Sequence, residues 1–265
     1  MDETMKTVVV IPTYNEADNL PLVTASVLSL GIPGLSVLVV DDDSPDGTGE
    51  VADKLAERNP GKVNVIHRTG QRGFGKSYIS GFKWALEHGA DRIIQMDADL
   101  SHSPSYIPEM LQKSMEYDVV VGSRYVQGGK LDERWSPWRH FLSWWANSVY
   151  TRLILGIKTK DATSGFKCWT RYALEAIDLD TIKSNGYVFQ VELTYVSEKL
   201  NLRIIEIPIY FEDRHKGHSK MSTAVKLEAA WRVWEIKFRH RHVKPLQPRE
   251  SSEAQPKPAT DETSD

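Results

Sequence analysis

The chain has 265 residues, of which 40% are hydrophobic and 26% charged, and its formal net charge is −3. This composition is typical of an ordinary globular protein, and the overall charge gives no reason to expect nucleic acid as a partner. The single cysteine, Cys168, excludes an internal disulfide framework and suits a reducing compartment, where we expect it to be a small buried hydrophobe.

The sequence predicts neither a signal peptide nor a transmembrane helix. Residues 1–6 are polar and lead directly into a strand-like run. The most apolar candidate for a span, Phe141 to Thr151, is shorter than the roughly 18 residues needed and is flanked by Arg139 and Arg152. We therefore expect a cytoplasmic protein that is peripheral on the cytoplasmic face of a membrane, through its own surface or through an integral membrane partner.

The first half of the chain alternates apolar runs with amphipathic segments. Nearly continuous Val/Ile runs predict strands that are buried on both faces: Thr7–Pro12, Ser36–Asp41, Val63–His67, Arg92–Asp97 and Asp118–Gly122. Segments of helical length and spacing lie between them: Ala17–Leu30, Gly47–Arg58, Lys76–His88 and Pro104–Met115. This βαβ order predicts an α/β fold with a mostly parallel central sheet and helices on both faces, Rossmann-like in architecture.

The second half has a different pattern, with fewer predicted strands and more tryptophan. Its predicted elements are helices over Pro137–Leu155, Tyr187–Leu200 and Thr223–Arg241 and a strand over Arg203–Phe211. The first and last of these helices carry aromatic side chains that suit a membrane interface and suit ordinary core packing equally well. Both interpretations are open at this point.

The C-terminal end changes composition at Val243. From there to Asp265 the chain is polar and proline-rich, which predicts a disordered tail, residues 243–265, after one folded domain spanning residues 1–242. Two histidines, His240 and His242, precede the tail, and we expect them at a solvated helix end.

Polar residues follow the first two predicted strands, and ligands bind beyond the carboxyl ends of strands in open parallel sheets. The first strand ends in PTYNE, where Tyr14 offers a ring face for a nucleobase and Asn15 could instead cap the next helix. The second strand ends in DDDS, whose carboxylates repel one another unless a ligand or backbone donors absorb the charge. Asp42 is the predicted acceptor for ribose hydroxyls or a base edge, whereas Asp43 or Ser44 can cap the following helix.

The fourth predicted strand ends in Asp97-Ala98-Asp99. Side chains two residues apart in an extended segment point the same way, so both carboxylates can reach one ion. Such hard oxygen ligands, together with diphosphate oxygens, suit octahedral Mg²⁺ or Mn²⁺. The sequence therefore predicts a divalent metal site at Asp97 and Asp99, with simple turn chemistry as the alternative.

The three strand ends, with Gly122-Ser123-Arg124-Tyr125 and the segment from Asp161 to Phe166, resemble inverting glycosyltransferases of family 2, which have the GT-A fold. Among these, the sequence is most similar to the polyprenol (dolichyl) phosphate mannose synthases. The resemblance runs from Thr7 to about Met221, and its specificity comes from the combination of VVIPTYNE, VVDDDSPDGT, MDADLSH, GSRY and SGF.

The resemblance implies a set of residues that bind GDP: Pro12, Tyr14, Glu16 and Asp42. It implies that Asp97 and Asp99 bind the metal. Family members often carry glutamine two residues after the second aspartate, and here that residue is Ser101, whose shorter side chain puts a third protein ligand in doubt. The GT-A fold and a GDP-mannose donor follow from the same resemblance.

On the acceptor side, the resemblance places three arginines at a lipid phosphate: Arg124, Arg139 and Arg214. Ser143 lies four residues after Arg139, on the same helical face, so the two can bind one anion. The segment 213–221 adds Lys216 and Lys220 and looks like a lid over the phosphates.

The implied reaction is inverting transfer of mannose from GDP-mannose to polyprenyl phosphate. The second pKa of a phosphate monoester is about 6, so the nucleophile is already ionised at neutral pH and needs no strong base. Catalysis then requires alignment of the acceptor, neutralisation of its charge and stabilisation of the leaving diphosphate. We assign the first two tasks to Arg124, Arg139 and Arg214, and the third to the metal held by Asp97 and Asp99. The predicted catalytic residues among these are Asp99, Arg124 and Arg214.

Three alternatives have some support. The segment Gly70–Ser77 matches the Walker A pattern of a P-loop NTPase, although an NTPase leaves PTYNE, DDDS and Asp99 unexplained; otherwise the segment is a glycine-rich turn that lines the donor site. A polyprenyl-phosphate glucosyltransferase would use UDP-glucose, but such relatives commonly carry C-terminal membrane helices. A catalytically inactive nucleotide-binding subunit would not need Asp97 and Asp99.

Overall fold

The computed structural model describes residues 4–131, 151–211 and 223–247. Its strands are β1 (Thr7–Thr13), β2 (Leu35–Asp41), β3 (Val63–His67), β4 (Arg92–Gln95), β5 (Val119–Ser123), β6 (Lys130–Leu131), β7 (Lys167–Thr170), β8 (Ile204–Pro208) and β9 (Tyr210–Phe211). The described α-helices are α1 (Leu20–Leu28), α2 (Thr48–Arg58), α3 (Phe74–Glu87), α4 (Ile107–Lys113), α5 (Arg152–Leu155), α6 (Arg171–Ala176), α7 (Tyr187–Lys199) and α8 (Thr223–Arg239).

Seven strands form the central sheet in the order β3-β2-β1-β4-β7-β5-β8. All neighbours are parallel except β7, which is antiparallel to both β4 and β5. The prediction of a mostly parallel sheet with helices on both faces is therefore confirmed. The strand β7 was not predicted, because its four residues, KCWT, form no Val/Ile run.

The alternation of side chains along the strands fills two separate cores. Val8 and Val10 of β1 pack on one face with residues of α3, α6 and α7. Val9 and Ile11 pack on the other face with residues of α1, α2 and α4. Cys168 is buried in β7, as expected, and burial raises the pKa of its thiol to about 12, so it is a structural residue.

Three predicted boundaries are corrected by the structure. The fourth strand ends at Gln95, so Asp97 and Asp99 lie in the following loop rather than in the strand. The predicted strand Arg203–Phe211 divides into β8, in the main sheet, and β9, which pairs with β6 in a separate two-stranded sheet. The first helix begins at Leu20, so Asn15 is not its N-cap.

A third core cluster joins α5, α7 and α8. Val233 and Ile236 of α8 are buried in it, whereas Trp231, Trp234 and Phe238 on the opposite side of α8 are 74%, 43% and 62% exposed. Core packing therefore does not account for Trp231 and Trp234. Among the helices described, none combines the length and the apolar character that crossing a bilayer requires.

The described chain remains packed beyond α8. The backbone N–H of Leu246 donates to the carbonyl of Leu200 at 3.0 Å, and Val243 packs on the first core cluster. His240 is 2% exposed, which contradicts the prediction that it lies at a solvated helix end. The remainder of the predicted tail, residues 248–265, lies outside the described residues.

Candidate active site

The carboxyl ends of β2, β1 and β4 lie side by side because these strands are neighbours in the sheet. Each is followed by a non-glycine residue with positive φ: Asn15 at 61°, Asp43 at 57° and Leu100 at 64°. This backbone conformation costs roughly 1–3 kcal/mol per residue and is concentrated at functional sites. Left-handed backbone therefore occurs within PTYNE and DDDS and at the residue that directly follows DAD.

The three adjacent aspartates after β2 have different environments. The carboxylate of Asp41 accepts from the hydroxyls of Thr13 at 3.1 Å and Ser44 at 2.6 Å, and from the backbone N–H of Ser44 at 3.2 Å. Asp41 therefore stabilises the turn. Ser44 caps this turn and not a helix, since α2 begins at Thr48.

Asp42 faces the glycine-rich loop. Its Oδ2 accepts from the backbone N–H of Gly73 at 2.7 Å, and its Oδ1 accepts from Arg68. Arg68 also donates to the hydroxyl of Ser77 at 3.2 Å. Asp42 thus connects the end of β2 to the start of α3, and its side chain is only 9% exposed.

Tyr14 is in contact with Arg72 from the same loop. The guanidinium carbon of Arg72 lies 4.8 Å from the ring centroid, and its Nη1 donates to the phenol oxygen at 2.9 Å. Its Nη2 donates to the carbonyl and the carboxylate of Asp43, at 2.7 and 2.9 Å. A nucleobase that stacks on this face of Tyr14 must therefore displace Arg72.

The other residues predicted at the donor site lie nearby. Pro12 belongs to β1 and is paired in register with Val40. The backbone N–H of Glu16 donates to the hydroxyl of Thr48 at 2.9 Å, and its carboxylate accepts from Asn19 at 2.8 Å. Glu16 therefore links the segment before α1 to the first residue of α2.

The backbone N–H groups of the glycine-rich loop are engaged with side chains. Gly73 donates to Asp42, and Gly75 donates to Oδ1 of Asn185 at 3.0 Å. Lys76 donates to the side-chain oxygen of Gln71. In a P-loop these groups surround a phosphate, so the contacts favour a donor-site turn over a Walker A loop.

The two aspartates predicted to bind metal are held by different partners. Oδ1 of Asp97 accepts from the phenol of Tyr78 at 2.7 Å. Oδ1 of Asp99 accepts from both the backbone N–H of Ser101, at 3.1 Å, and the hydroxyl of Ser101. Ser101 is therefore turned toward Asp99, and it acts in this structure as a hydrogen-bond donor to that carboxylate.

The wall beside Asp97 is built by a glycine and a histidine. A Cβ atom on Gly165 would lie 3.2 Å from Oδ2 of Asp97, so glycine lets the backbone approach closely. Nδ1 of His102 lies 3.3 Å from the backbone nitrogen of Asp97, and its ring stacks on Phe166 at 5.1 Å. Burial lowers the pKa of His102, so the neutral imidazole accepts this N–H. Sequence reasoning missed this role.

Within the described ranges, no three Asp, Glu, His or Cys side chains converge on one metal position. Asp97 and Asp99 are hard oxygen ligands, and Asp99 is only 6% exposed. A pair of this kind suits Mg²⁺ or Mn²⁺ when diphosphate oxygens and water complete the coordination. The residues present therefore fit a metal that is held jointly with a nucleotide diphosphate.

Arg124 follows β5 and is paired with Asp161 through two parallel hydrogen bonds, Nε to Oδ2 at 2.8 Å and Nη2 to Oδ1 at 2.7 Å. Burial opposes its charge, but Asp161 outweighs this effect and raises the pKa of Arg124. The other predicted residues of the acceptor site lie outside the described residues: Arg139, Ser143, Arg214, Lys216 and Lys220.

Lys167 is a buried lysine that sequence reasoning also missed. Its Nζ donates to the carbonyl of Ser164 at 2.6 Å and to the side-chain oxygen of Gln190 at 2.9 Å. Burial lowers its pKa to about 7. These contacts hold the turn that precedes β7, which carries Asp161 and Gly165.

The family description "Glycosyl transferase family 2" matches residues 8–177. The match covers more than half of the chain, so the chain belongs to glycosyl transferase family 2. This result agrees with the mostly parallel α/β sheet described above, and it excludes the P-loop NTPase.

The chain is 46% identical to the undecaprenyl-phosphate mannosyltransferase of Micrococcus luteus over 229 residues, covering 86% of this chain and 93% of that protein. It is 42% identical to the polyprenol monophosphomannose synthase of Mycolicibacterium smegmatis over 239 residues, covering 90% of this chain and 89% of that protein.

Solved structures confirm the fold. The glucosyl-3-phosphoglycerate synthase of Mycobacterium tuberculosis, solved in complex with Mn²⁺ and UDP-glucose, has a TM-score of 0.61 at 16% identity, covering 89% of this chain and 79% of that chain. Its complex with UDP has a TM-score of 0.63. At this identity the similarity concerns the fold alone, which is GT-A-like.

Proposed function

We propose that this glycosyltransferase transfers mannose from GDP-mannose to polyprenyl phosphate, with inversion at the anomeric carbon, and releases GDP. The observation that carries the proposal is that one short segment contacts both predicted half-sites. Asp161 and Thr163 bind Arg124, and Gly165 packs against Asp97. The arginine that we assign to the acceptor phosphate and an aspartate that we assign to the metal thus contact the same segment. The names of the two mannosyltransferase relatives support the mannosyl group and the lipid phosphate.

On the donor side, we assign binding of the nucleotide to Pro12, Tyr14, Glu16 and Asp42. A guanine edge or ribose hydroxyls present hydrogen-bond donors, for which a carboxylate such as that of Asp42 is a strong acceptor. Asp42 is fixed by Gly73 and Arg68, so its orientation is set before the nucleotide binds. Asp97 and Asp99 would hold Mg²⁺ or Mn²⁺, which when bound would neutralise charge on the departing diphosphate.

On the acceptor side, we assign the lipid phosphate to Arg124 together with Arg139, Ser143, Arg214 and Lys220. The phosphate is mostly ionised at neutral pH, so these residues need only orient it and reduce its repulsion from the donor diphosphate. In this scheme Arg124 and Arg214 are catalytic residues, because they contact the attacking group.

The exposed face of α8 suits an enzyme whose acceptor is a lipid. Trp231, Trp234 and Phe238 lie on one side of the helix, and Leu153 of α5 nearby is 78% exposed. Lys237 donates to the carbonyl of Ile154 at 2.6 Å and joins the two helices. Aromatic and basic side chains together favour the interfacial region of a bilayer. We propose that this face contacts the cytoplasmic side of a membrane or an integral membrane partner.

The test is a transfer assay with a short polyprenyl phosphate, Mg²⁺ or Mn²⁺, and either GDP-mannose or UDP-glucose. We expect a mannosyl lipid product with GDP-mannose alone. Transfer from UDP-glucose alone would instead identify a polyprenyl-phosphate glucosyltransferase, and no transfer with either donor would point to an inactive nucleotide-binding subunit.

Two variants test the assigned roles. Asp99→Ala should abolish transfer at every metal concentration, whereas Arg214→Ala should mainly raise the KM for polyprenyl phosphate. The matched control is Asp180→Ala, because Asp180 is an exposed aspartate that pairs with Lys83. Full activity of Asp99→Ala in a metal titration would refute the metal assignment.

A further inference from the structure

One edge of the Arg124 guanidinium, formed by Nε and Nη2, donates all of its hydrogen bonds to other residues of the protein. Its Nε and Nη2 donate to the two oxygens of Asp161, and Nη2 also donates to the hydroxyl of Thr163 at 2.8 Å. The backbone N–H of Arg124 donates to Oδ2 of Asp161 as well, at 2.9 Å. The paired side chains of Arg124 and Asp161 are 10% and 0% exposed.

Asp161 is itself fixed from the far side. Its backbone N–H donates to Oε1 of Glu206 on β8 at 2.9 Å, and the backbone N–H of Lys160 donates to Oε2 of Glu206 at 2.9 Å. The carboxylate of Asp161 therefore extends from a backbone segment that is bound to the central sheet. A planar guanidinium bound to it at two points has one orientation.

Two aromatic rings restrict the guanidinium further. The guanidinium carbon of Arg124 lies 5.4 Å from the ring centroid of Tyr125 and 5.2 Å from that of Phe211. A guanidinium carries five N–H donors, one on Nε and two on each Nη. Asp161 and Thr163 take the three on Nε and Nη2. Within the described part of the chain, the two N–H groups on Nη1 have no hydrogen-bond acceptor.

We propose that Asp161 is a positioning residue for the acceptor: it holds Arg124 so that Nη1 alone points to the lipid phosphate. This inference rests on the proposed function. A guanidinium paired with a carboxylate has little net charge to attract an anion, so the phosphate is recognised by the direction of Nη1 rather than by a free positive charge. Without the carboxylate of Asp161, Arg124 keeps its positive charge, but its guanidinium is no longer held in one orientation.

The chain contains a matched control for the loss of such a pair. Asp118, at the opposite end of β5, accepts from the backbone N–H, Nε and Nη2 of Arg203 at 2.8, 3.2 and 3.0 Å. The contacts repeat those of the Asp161 pair atom for atom. Because the pair lies at the opposite end of the strand from Arg124, Asp118→Asn removes a similar interaction without touching the site.

The experiment compares Asp161→Asn with Asp118→Asn in the full chain. It measures KM for a short polyprenyl phosphate, KM for GDP-mannose, the dissociation constant of GDP and the thermal unfolding temperature. We expect Asp161→Asn to raise the acceptor KM by about ten- to a hundredfold, with the donor KM and GDP affinity unchanged. Asp118→Asn should lower the unfolding temperature and leave both KM values as in the wild type.

A double-mutant comparison separates positioning from general destabilisation. Lysine at position 124 cannot form the two-point pair with Asp161. Adding Asp161→Asn to the Arg124→Lys variant should therefore raise the acceptor KM less than twofold above that of Arg124→Lys alone. An increase as large as in the wild type would overturn the proposal, as would equal increases of donor and acceptor KM. If Asp161→Asn does not fold, Thr163→Val removes another hydrogen bond on the same edge of the Arg124 guanidinium. It should raise the KM for polyprenyl phosphate and leave the KM for GDP-mannose unchanged.

The activity of the wild-type chain shows whether a negative result concerns the proposed function or only the role of Asp161. If the wild type transfers no sugar to polyprenyl phosphate, the proposed function fails, and the role of Asp161 fails with it. If the wild type is active and Asp161→Asn keeps the wild-type acceptor KM, the role of Asp161 alone is refuted.

Discussion

The phenol of Tyr78 donates a hydrogen bond of 2.7 Å to Oδ1 of Asp97. Tyr78 lies in α3 with no exposed surface, and its ring stacks on Phe189 with 5.8 Å between centroids. Burial, and next the charge of Asp97, raise the pKa of Tyr78, so the phenol stays protonated and remains a donor. The orientation of Asp97 is thus set by a helix packed on the sheet.

This contact predicts that Tyr78→Phe weakens metal binding. Partners that orient a metal ligand typically contribute about 10–100-fold to affinity. We expect the Mn²⁺ concentration for half-maximal transfer to rise by that factor, with kcat at saturating Mn²⁺ close to the wild-type value. The measurement is a metal titration of transfer activity.

The control for this variant is Tyr195→Phe, because Tyr195 is a buried tyrosine of α7 in the third core cluster. It should leave the Mn²⁺ titration unchanged. An unchanged titration in Tyr78→Phe as well would show that the phenol does not support the metal site.

Asp42 is predicted to bind the donor nucleotide, and this assignment can be tested without the acceptor. Asp42→Asn keeps the size of the side chain but removes a charged acceptor, whose hydrogen bonds contribute about 1.5–3 kcal/mol. We expect GDP affinity to fall by roughly 10- to 100-fold, measured by calorimetric titration. Asp53→Asn should bind GDP as the wild type does, because Asp53 is an exposed aspartate paired with His67.

Substitution by alanine should change the free energy of unfolding in opposite directions at two helical glycines, Gly81 and Gly49. A Cβ atom on Gly81 in α3 would lie 2.4 Å from Cγ1 of Val10, so the helix could not remain packed on β1. A Cβ atom on Gly49 in α2 would make only ordinary contacts at 3.4 Å. We expect Gly81→Ala to lower the free energy of unfolding by about 1–3 kcal/mol.

The companion variant Gly49→Ala should raise the free energy of unfolding by about 0.5–1 kcal/mol, because alanine has the higher helix propensity. Urea denaturation measures both changes. Similar effects of the two substitutions would contradict the close packing of α3 against β1.

Much of the sheet could be predicted because its strands carry long Val/Ile runs. The bounds of β1, β2 and β3 differ from the predicted ones by at most one residue at each end. The strand β7 has no such signal, since Lys167 is a charged residue in a fully buried strand. Its place depends on antiparallel pairing with β4 and β5, which no local pattern encodes.

The candidate site was predictable in its composition but not in its contacts. The motifs identified Asp97, Asp99 and Arg124 as chemically important residues. They did not show that Tyr78 supports Asp97, or that Arg124 is paired with a residue 37 positions away. Such pairings arise from the packing of distant elements, and for the same reason the burial of His240 against Glu192, 48 positions away, was not foreseen.

Glu192 joins two parts of the chain through its two carboxylate oxygens. Oε1 accepts from Nη1 of Arg239 at 2.6 Å and from Nε2 of His240 at 2.7 Å. Oε2 accepts from the backbone N–H groups of Lys183 at 3.1 Å and Ser184 at 2.8 Å. The carboxylate thus connects the end of α8 to the loop before α7, and its side chain has no exposed surface.

These contacts predict how stability depends on pH. Burial alone would raise the pKa of Glu192, but hydrogen bonds from His240, Ser184 and Arg239 outweigh burial and lower it to about 2 from an ordinary value of 4.5. A carboxyl whose pKa is lower in the folded state contributes stability above its unfolded pKa and loses it as the pH falls toward the folded pKa. The contribution of Glu192 is therefore complete at pH 7 and declines below pH 4.5.

Glu192→Gln should lower the free energy of unfolding by roughly 1–3 kcal/mol at neutral pH, because it leaves Arg239 without its buried carboxylate. The difference from the wild type should shrink as the pH falls from about 4.5 to 3, where the wild-type carboxylate begins to lose its advantage. Urea denaturation at a series of pH values measures this difference. Glu175→Gln, which removes an exposed pair with Arg171, should show little difference at any pH. A Glu192→Gln difference that is constant between neutral and acid pH would mean that the charge of Glu192 does not stabilise the junction, and that its shape alone does.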